Sequence, residues 1–335
     1  MNKADYKGVW IIAEQRDGKL QNVSLELLSK GKELAETRGT ELTAVLLGSQ
    51  VGDFTKELIA HGADKVLYAE SPLLKNYTTD GYTNVIVDLI EERKPEIVLC
   101  GASLQGRDLA PRVAARISTG LTADCTGLAI DEESKNLLQT RPAFGGNLMA
   151  TIVCEEKRPQ MSTVRPGVFN KLPKDPSRKG VVERVTVNLK ESEIRTTVEK
   201  IVKLAKDIVD IGEAEVLVSG GRGIGSAEGF NVLKELADLL GGTVSGSRAA
   251  VDNGWVDKLC QVGQTGKTVR PGVYFACGIS GAIQHQSGMN DSDFIIAINK
   301  NSDAPMMRIA DLGIVGDYKK VIPELIAQIK DAATK

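Results

Sequence analysis

Apolar and polar positions along the first 115 residues alternate between two periods. Short apolar runs at Val9–Ala13, 42–47, 65–68 and 97–100 have the length of buried strands. Between them, apolar residues fall three and four apart. Val23, Leu27, Gly31 and Leu34 share one face of a helix expected over 23–38. Further helices are expected over 51–61, 82–92 and 106–117. Strand and helix in regular succession imply a parallel sheet with crossover helices.

The pattern then changes. From 123 to 168, short strand-like pieces such as 137–140 and 150–154 alternate with Pro and Gly turns, and either extend the first sheet or form a small antiparallel layer. Residues 172–195 carry Pro173, Pro176 and many charges, and read as a linker with one connecting strand around 182–189. A second alternating unit follows: helix 198–209, strand 214–219, helix 227–240, strands 243–244, Val273–Cys277 and Phe294–Asn299, a last strand at 309–312 and a closing helix at 321–332. The expected fold class is α/β, with two domains each built on a mostly parallel sheet with helices on both faces. The first domain covers 1–190, linker included, and the second covers 191–335.

Composition narrows the classes of function. Lys plus Arg (42) nearly balances Asp plus Glu (44), and a net charge of -2 argues against nucleic acid or an anionic membrane as the main partner. Aromatics at 4% make stacking platforms for single strands a poor reading. The five cysteines form no C-x-x-C pair and read as buried reduced thiols, and two histidines leave a metal site almost no ligands. No membrane span or signal peptide is visible, and a cytoplasmic bacterial or archaeal protein is expected.

Chemistry concentrates between Ser219 and Asp317. Four glycine-rich or polar turns lie there: Ser219-Gly220-Gly221-Arg222-Gly223, Ser247-Arg248, Val262-Gly263-Gln264-Thr265-Gly266 and Gly278-Ile279-Ser280-Gly281-Ala282-Ile283-Gln284-His285. Glycines let backbone approach a ligand and free N–H groups for phosphate oxygens. The first turn misses the dinucleotide fingerprint, because Ser226 stands at the third glycine and no acid follows the next strand. Arg248 there would suit a 2′-phosphate, so an NADP-dependent oxidoreductase is one reading, and a non-redox nucleotide-binding module is another. Gln264-Thr265-Gly266-Lys267 lacks the spacing of a phosphate loop, and Gly278-Ile279-Ser280-Gly281 is one residue short of a nucleophile elbow. Asn299 closes a strand, and Asp317 follows Val315-Gly316, where it either meets ribose hydroxyls or caps the next helix.

Taken together these segments closely resemble the FAD domain of the electron-transferring flavoprotein α subunit. The first domain resembles that family as well, in Leu121-Thr-Ala-Asp124, Arg141-Pro-Ala-Phe-Gly-Gly-Asn147 and Arg158-Pro-Gln-Met-Ser-Thr-Val-Arg-Pro166. The resemblance implies an FAD-bearing subunit of a heterodimer whose β subunit packs on the first domain. It implies electron transfer between acyl-CoA dehydrogenases and a second carrier. That carrier is a membrane quinone reductase in the simple form. In the bifurcating form, NADH and ferredoxin are reached through the β subunit.

The residues it implies at FAD are Gly221, Arg222, Ser247, Arg248, Val262, Gly263, Gln264, Thr265, Gly278, Ser280, Gly281, Ala282, Ile283, Gln284, His285, Asn299, Asp317 and Tyr318. Gln264 and Thr265 suit the flavin's N5 and O4 edge, Ser280 with the N–H groups of Gly281 and Ala282 suits the pyrophosphate, and Asn299 with Asp317 suits the adenosine half. A donor such as His285, or a cation such as Arg248, favours the reduced flavin. No catalytic side chain and no metal are expected, and the first domain, with Ala13-Glu14-Gln15-Arg16 after its first strand, is expected to hold no ligand of its own. The chain departs from the family pattern at Asn301, where Asp is usual, and at Tyr318, where a small aliphatic residue is commoner.

Overall fold

A computed structural model describes residues 2–16, 18–143, 148–201, 211–212 and 214–333. Contacts divide the chain into two compact units, the first ending at Ile201. The expected helix at 198–209 falls largely on 202–210 and lies outside the described residues, as do positions 144–147 of the Arg141 motif.

In the first unit, β1 (Val9–Ala13), a two-residue hairpin of β2 (Gln15–Arg16) and β3 (Lys19–Leu20), α1 (Asn22–Arg38), β4 (Leu42–Gly48), α2 (Thr55–Ala60), β5 (Lys65–Glu70), α3 (Thr79–Arg93), β6 (Ile97–Gly101) and α4 (Leu104–Arg116) follow one another. Then come β7 (Leu121–Cys125), β8 (Gly127–Ile130), β9 (Leu137–Ala143), β10 (Leu148–Ile152), β11 (Gln160–Val164) and β12 (Val181–Val185). Seven strands form one sheet in the order β12-β5-β4-β1-β6-β11-β7, with every pairing parallel. Its central strand is apolar throughout because both faces are covered. Val9, Ile11 and Ala13 pack with Leu27 and Leu34 of α1, while Trp10 and Ile12 face Ile86 of α3 and Leu109 of α4. The stretch from 123 to 168 does both things its texture allowed. β7 and β11 extend the sheet, and β10-β9-β8 form a separate antiparallel layer.

Residues 172–195 are more than a connector. Val181–Val185 is an edge strand in register with Lys65–Ala69, and the Arg195 guanidinium donates to both oxygens of Asp80 at 2.8 and 2.9 Å.

The second unit holds β13 (Val216–Gly220), α5 (Phe230–Leu239), β14 (Thr243–Gly246), α6 (Arg248–Asp252), β15 (Val273–Cys277), α7 (Ile283–Gln286), β16 (Phe294–Asn299), α8 (Pro305–Ile309), β17 (Leu312–Val315) and α9 (Tyr318–Ala333). Its five strands are all parallel, in the order β14-β13-β15-β16-β17. One face packs Phe230, Leu233 and Ile322 from α5 and α9; the other packs Leu217, Tyr274, Val262 and Met306. The last strand sits three residues later than the expected 309–312, because Pro305 opens a helix that runs through Ile309.

Candidate functional site

Parallel strands place every strand-to-helix turn of the second unit on one edge of the sheet. The order reverses between β13 and β15: β14 lies on one side of β13, and β15, β16 and β17 lie on the other. That reversal is where open α/β sheets leave a crevice. Gly221 and Gly278 meet there, with Gly221 N–H donating to Cys277 O at 2.9 Å and Gly223 N–H to Gly278 O at 3.0 Å. A methyl on Gly221 would stand 2.8 Å from both Gly278 C and Ile279 Cα, so only glycine lets these two turns close together.

Beside the crevice, the turn at Val262–Thr265 lies on the α7 segment. Val262 N–H donates to Gly246 O at 3.0 Å and Gln264 N–H to Gln284 O at 2.7 Å. Gly263 has φ +132°, and a Cβ there would meet Gln284 O at 2.9 Å. Gln264 and Thr265 are left exposed, with the Thr265 hydroxyl accepting from Gln261 Nε2 at 2.9 Å. Ser280, Ala282, Ile283 and Gln284 are exposed as well, whereas Gly281 is buried at φ +85°, where a Cβ would strike the backbone of Met306. Ser247 N–H donates to Gly220 O at 3.0 Å and starts α6, leaving Arg248 exposed with its Nε 3.3 Å from Asp252. Arg222 is exposed in the first turn.

At the far end, Asn299 Nδ2 donates to Ile279 O at 2.9 Å, tying β16 to the fourth turn. Asp317 accepts from Lys319 N–H at 3.0 Å and pairs with Lys300 Nζ at 3.0 Å. The Lys319 amide and then Lys300 hold its carboxyl below the usual carboxylate range. In the sequence, Lys300 looks like any exposed lysine and gives no sign of this pairing.

One assignment changes. Tyr318 belongs to the core: its ring is buried, and its hydroxyl donates to Ile224 O at 2.7 Å, bracing the first turn from beneath. The ring packs with α5 and α9 because it opens the inward face of α9. His285 is buried and neutral. Burial pushes its pKa down to about 4, with the Val262 backbone beside it pulling the other way. Its Nε2 meets the Tyr274 hydroxyl at 2.9 Å, and its Nδ1 is buried with no hydrogen-bond partner among the described residues. Tyr274 gives no signal in the sequence, because a tyrosine inside an apolar strand looks like core.

A glycine-lined cradle, polar side chains left exposed around it and one orphaned buried nitrogen are what a dinucleotide-type cofactor would complete. Among the described residues, no group of three His, Cys, Asp or Glu is placed to hold a metal. The unit is therefore a nucleotide-cofactor-binding α/β domain.

Residues 9–190 match the family model of the electron transfer flavoprotein domain, and residues 210–290 match that of the electron transfer flavoprotein FAD-binding domain. The chain is 66% identical over 334 residues to the electron transfer flavoprotein subunit alpha of Clostridium acetobutylicum, covering 99% of each chain. It is 49% identical over 360 residues to the acryloyl-CoA reductase electron transfer subunit beta of Anaerotignum propionicum, covering 98% of each. It is also 41% identical over 330 residues to the lactate dehydrogenase (NAD(+),ferredoxin) subunit LctC of Acetobacterium woodii, covering 98% of this chain and 78% of that one. The chain belongs to the electron transfer flavoprotein family, as an alpha-type subunit. Its cofactor is FAD and its work is electron transfer, which takes the place of the NADP and non-redox readings.

Proposed function

We propose that this chain holds FAD along the carboxyl edge of the five-stranded sheet and, paired with a β subunit, passes electrons between an acyl-CoA dehydrogenase and a second redox carrier. The observation that carries the placement is the crevice where the Gly221 and Gly278 turns close at the reversal of strand order. Bound FAD supplies one- and two-electron chemistry, and the protein supplies position and electrostatics.

Each turn then has a task. Exposed Gln264 and Thr265 hydrogen-bond the flavin ring edge, and Arg248 places a positive charge near it. Arg222 and Ser247 flank the crevice, and the backbone of Ser280, Gly281 and Ala282 receives the pyrophosphate. Asn299 and Asp317 hold the adenosine half, with Lys300 fixing the Asp317 carboxylate for ribose hydroxyls. His285 offers Nδ1 as a neutral hydrogen-bonding group.

Similarity to subunits named for acryloyl-CoA reductase and for a ferredoxin-linked lactate dehydrogenase supports the bifurcating form, with NADH and ferredoxin reached through the β subunit. No helix among the described residues is long and apolar enough to cross a membrane, and we place the complex in a bacterial cytoplasm. Titration of the purified heterodimer with NADH, followed by absorbance, tests this reading. Bleaching of two FAD per heterodimer is expected. One FAD that NADH leaves oxidised would return the protein to the simple form.

A further inference from the structure

Tyr274 is fully buried on β15, yet it carries a hydroxyl that must find partners. Leu217 stands beside it in the sheet register. One step along the same face, Ser219 and Ser245 stand opposite each other on β13 and β14. Both serine hydroxyls are buried with no hydrogen-bond partner among the described residues. The Tyr274 hydroxyl reaches Nε2 of His285 at 2.9 Å, with the two rings tilted and 6.2 Å apart.

This bond has a direction. Burial raises the Tyr274 phenol far above its ordinary range, so the phenol keeps its hydrogen. Among the described residues, Nε2 of His285 is the one acceptor at hydrogen-bond distance from the Tyr274 hydroxyl, so a buried phenol that must place its hydrogen donates it there. A neutral imidazole that accepts at Nε2 carries its proton on Nδ1. Nδ1 is the ring nitrogen that lacks a partner among the described residues.

We propose that Tyr274 is a positioning residue for the flavin end of the site: its hydrogen bond to Nε2 fixes the ring and tautomer of His285, making Nδ1–H a standing neutral donor to an acceptor atom of the bound flavin. The proposal rests on the FAD reading given above. It gives the Tyr274 and His285 pair one purpose, since the phenol sets the orientation of the imidazole.

Tyr274→Phe in the FAD-loaded heterodimer is the test, because phenylalanine keeps the ring and removes only the hydroxyl. FAD should still bind, with a dissociation constant about tenfold higher, the scale of one lost buried hydrogen bond. The potential for uptake of the first electron should fall by about 59 mV, the equivalent of a tenfold loss for one electron. In a His285→Gln background the same substitution should change neither quantity further, because both residues act through one group. Unchanged affinity and potential, or effects that add in full to those of His285→Gln, would overturn the proposal. If Tyr274→Phe fails to assemble, nitrogen-15 NMR of the parent heterodimer reads the His285 tautomer, and a proton on Nε2 instead of Nδ1 overturns the proposal. A parent heterodimer with no flavin on this chain would overturn the FAD reading instead, before any variant is compared.

Discussion

Replacing Gly221 with alanine should separate the two turns that form the crevice. The added methyl would stand 2.8 Å from Gly278 C and Ile279 Cα, and closer still to Gly278 O. All three are backbone atoms of a turn already held by Gly278 N–H donating to Ile298 O at 2.9 Å, so no flexible side chain can yield. A forced shift of this kind costs about 1–3 kcal/mol. It also loosens the Gly221 to Cys277 and Gly223 to Gly278 hydrogen bonds, each contributing about 0.5–1.5 kcal/mol. A total of roughly 2–6 kcal/mol follows, and if FAD can bind only the closed arrangement, affinity drops by roughly 30-fold or more. Gly225→Ala is the matched comparison. Gly225 sits at φ +88° with nothing within 4 Å of an added methyl, so its cost is backbone strain of about 1–2 kcal/mol without displacement of the Gly278 turn. Fluorescence titration of the deflavinated heterodimer with FAD, alongside thermal melting, distinguishes the two. Gly221→Ala should weaken binding far more than Gly225→Ala. Equal affinities in the two variants would refute the placement of the crevice at these turns.

Other residues give further expectations. Arg248→Ala should lower the flavin potential by on the order of 40 mV, the effect of one unit charge at short range in water, and a spectroelectrochemical titration with no shift would put the cation elsewhere. Asp80 is held at about 2, from 3.8, chiefly by its hydrogen bonds to Arg195, so it contributes stability above about pH 4 that is lost as the pH falls toward 2. Asp80→Asn should therefore cost about 1.5–3 kcal/mol at pH 7 by urea unfolding and progressively less in acid. Burial raises the Glu14 pKa above 4.5 despite the Ser103 hydroxyl donating to it at 2.6 Å, so its ionised form weakens the fold increasingly as pH rises through that range. Glu14→Gln should gain stability relative to the parent at pH 7 compared with pH 4; a gain independent of pH would show that ionisation is not the cause.

Much of this was legible in the residues, and the rest was hidden for physical reasons. Both sheets announce themselves through runs such as Val9–Ala13 and Val273–Cys277, because strands covered on two faces must be apolar throughout. A connecting strand is expected around 182–189, but its pairing as the sheet edge β12 is hidden because Glu183 and Arg184 break its apolar run. Glu183, whose carboxylate binds Lys65 at 2.7 Å and Arg93 at 2.6 Å, looks from sequence like part of a solvated linker. Glycine spacing revealed the turns, since no other residue fits Gly221 or Gly281. The partners beneath those turns could not be read. Whether His285 faces outward or inward toward Tyr274 depends on a ring direction that one short helix sets, and Tyr318 reads as surface or core according to where α9 begins.

The central claim is that FAD sits on this chain, in the cradle between the fourth turn and α8. The most direct measurement is flavin released per heterodimer on denaturation, for the parent and for Gly281→Ala, whose added methyl would strike the Met306 backbone from a φ of +85°. The account predicts that the variant assembles with one FAD fewer than the parent. Equal flavin content in the two would contradict it and place every bound FAD on the β subunit.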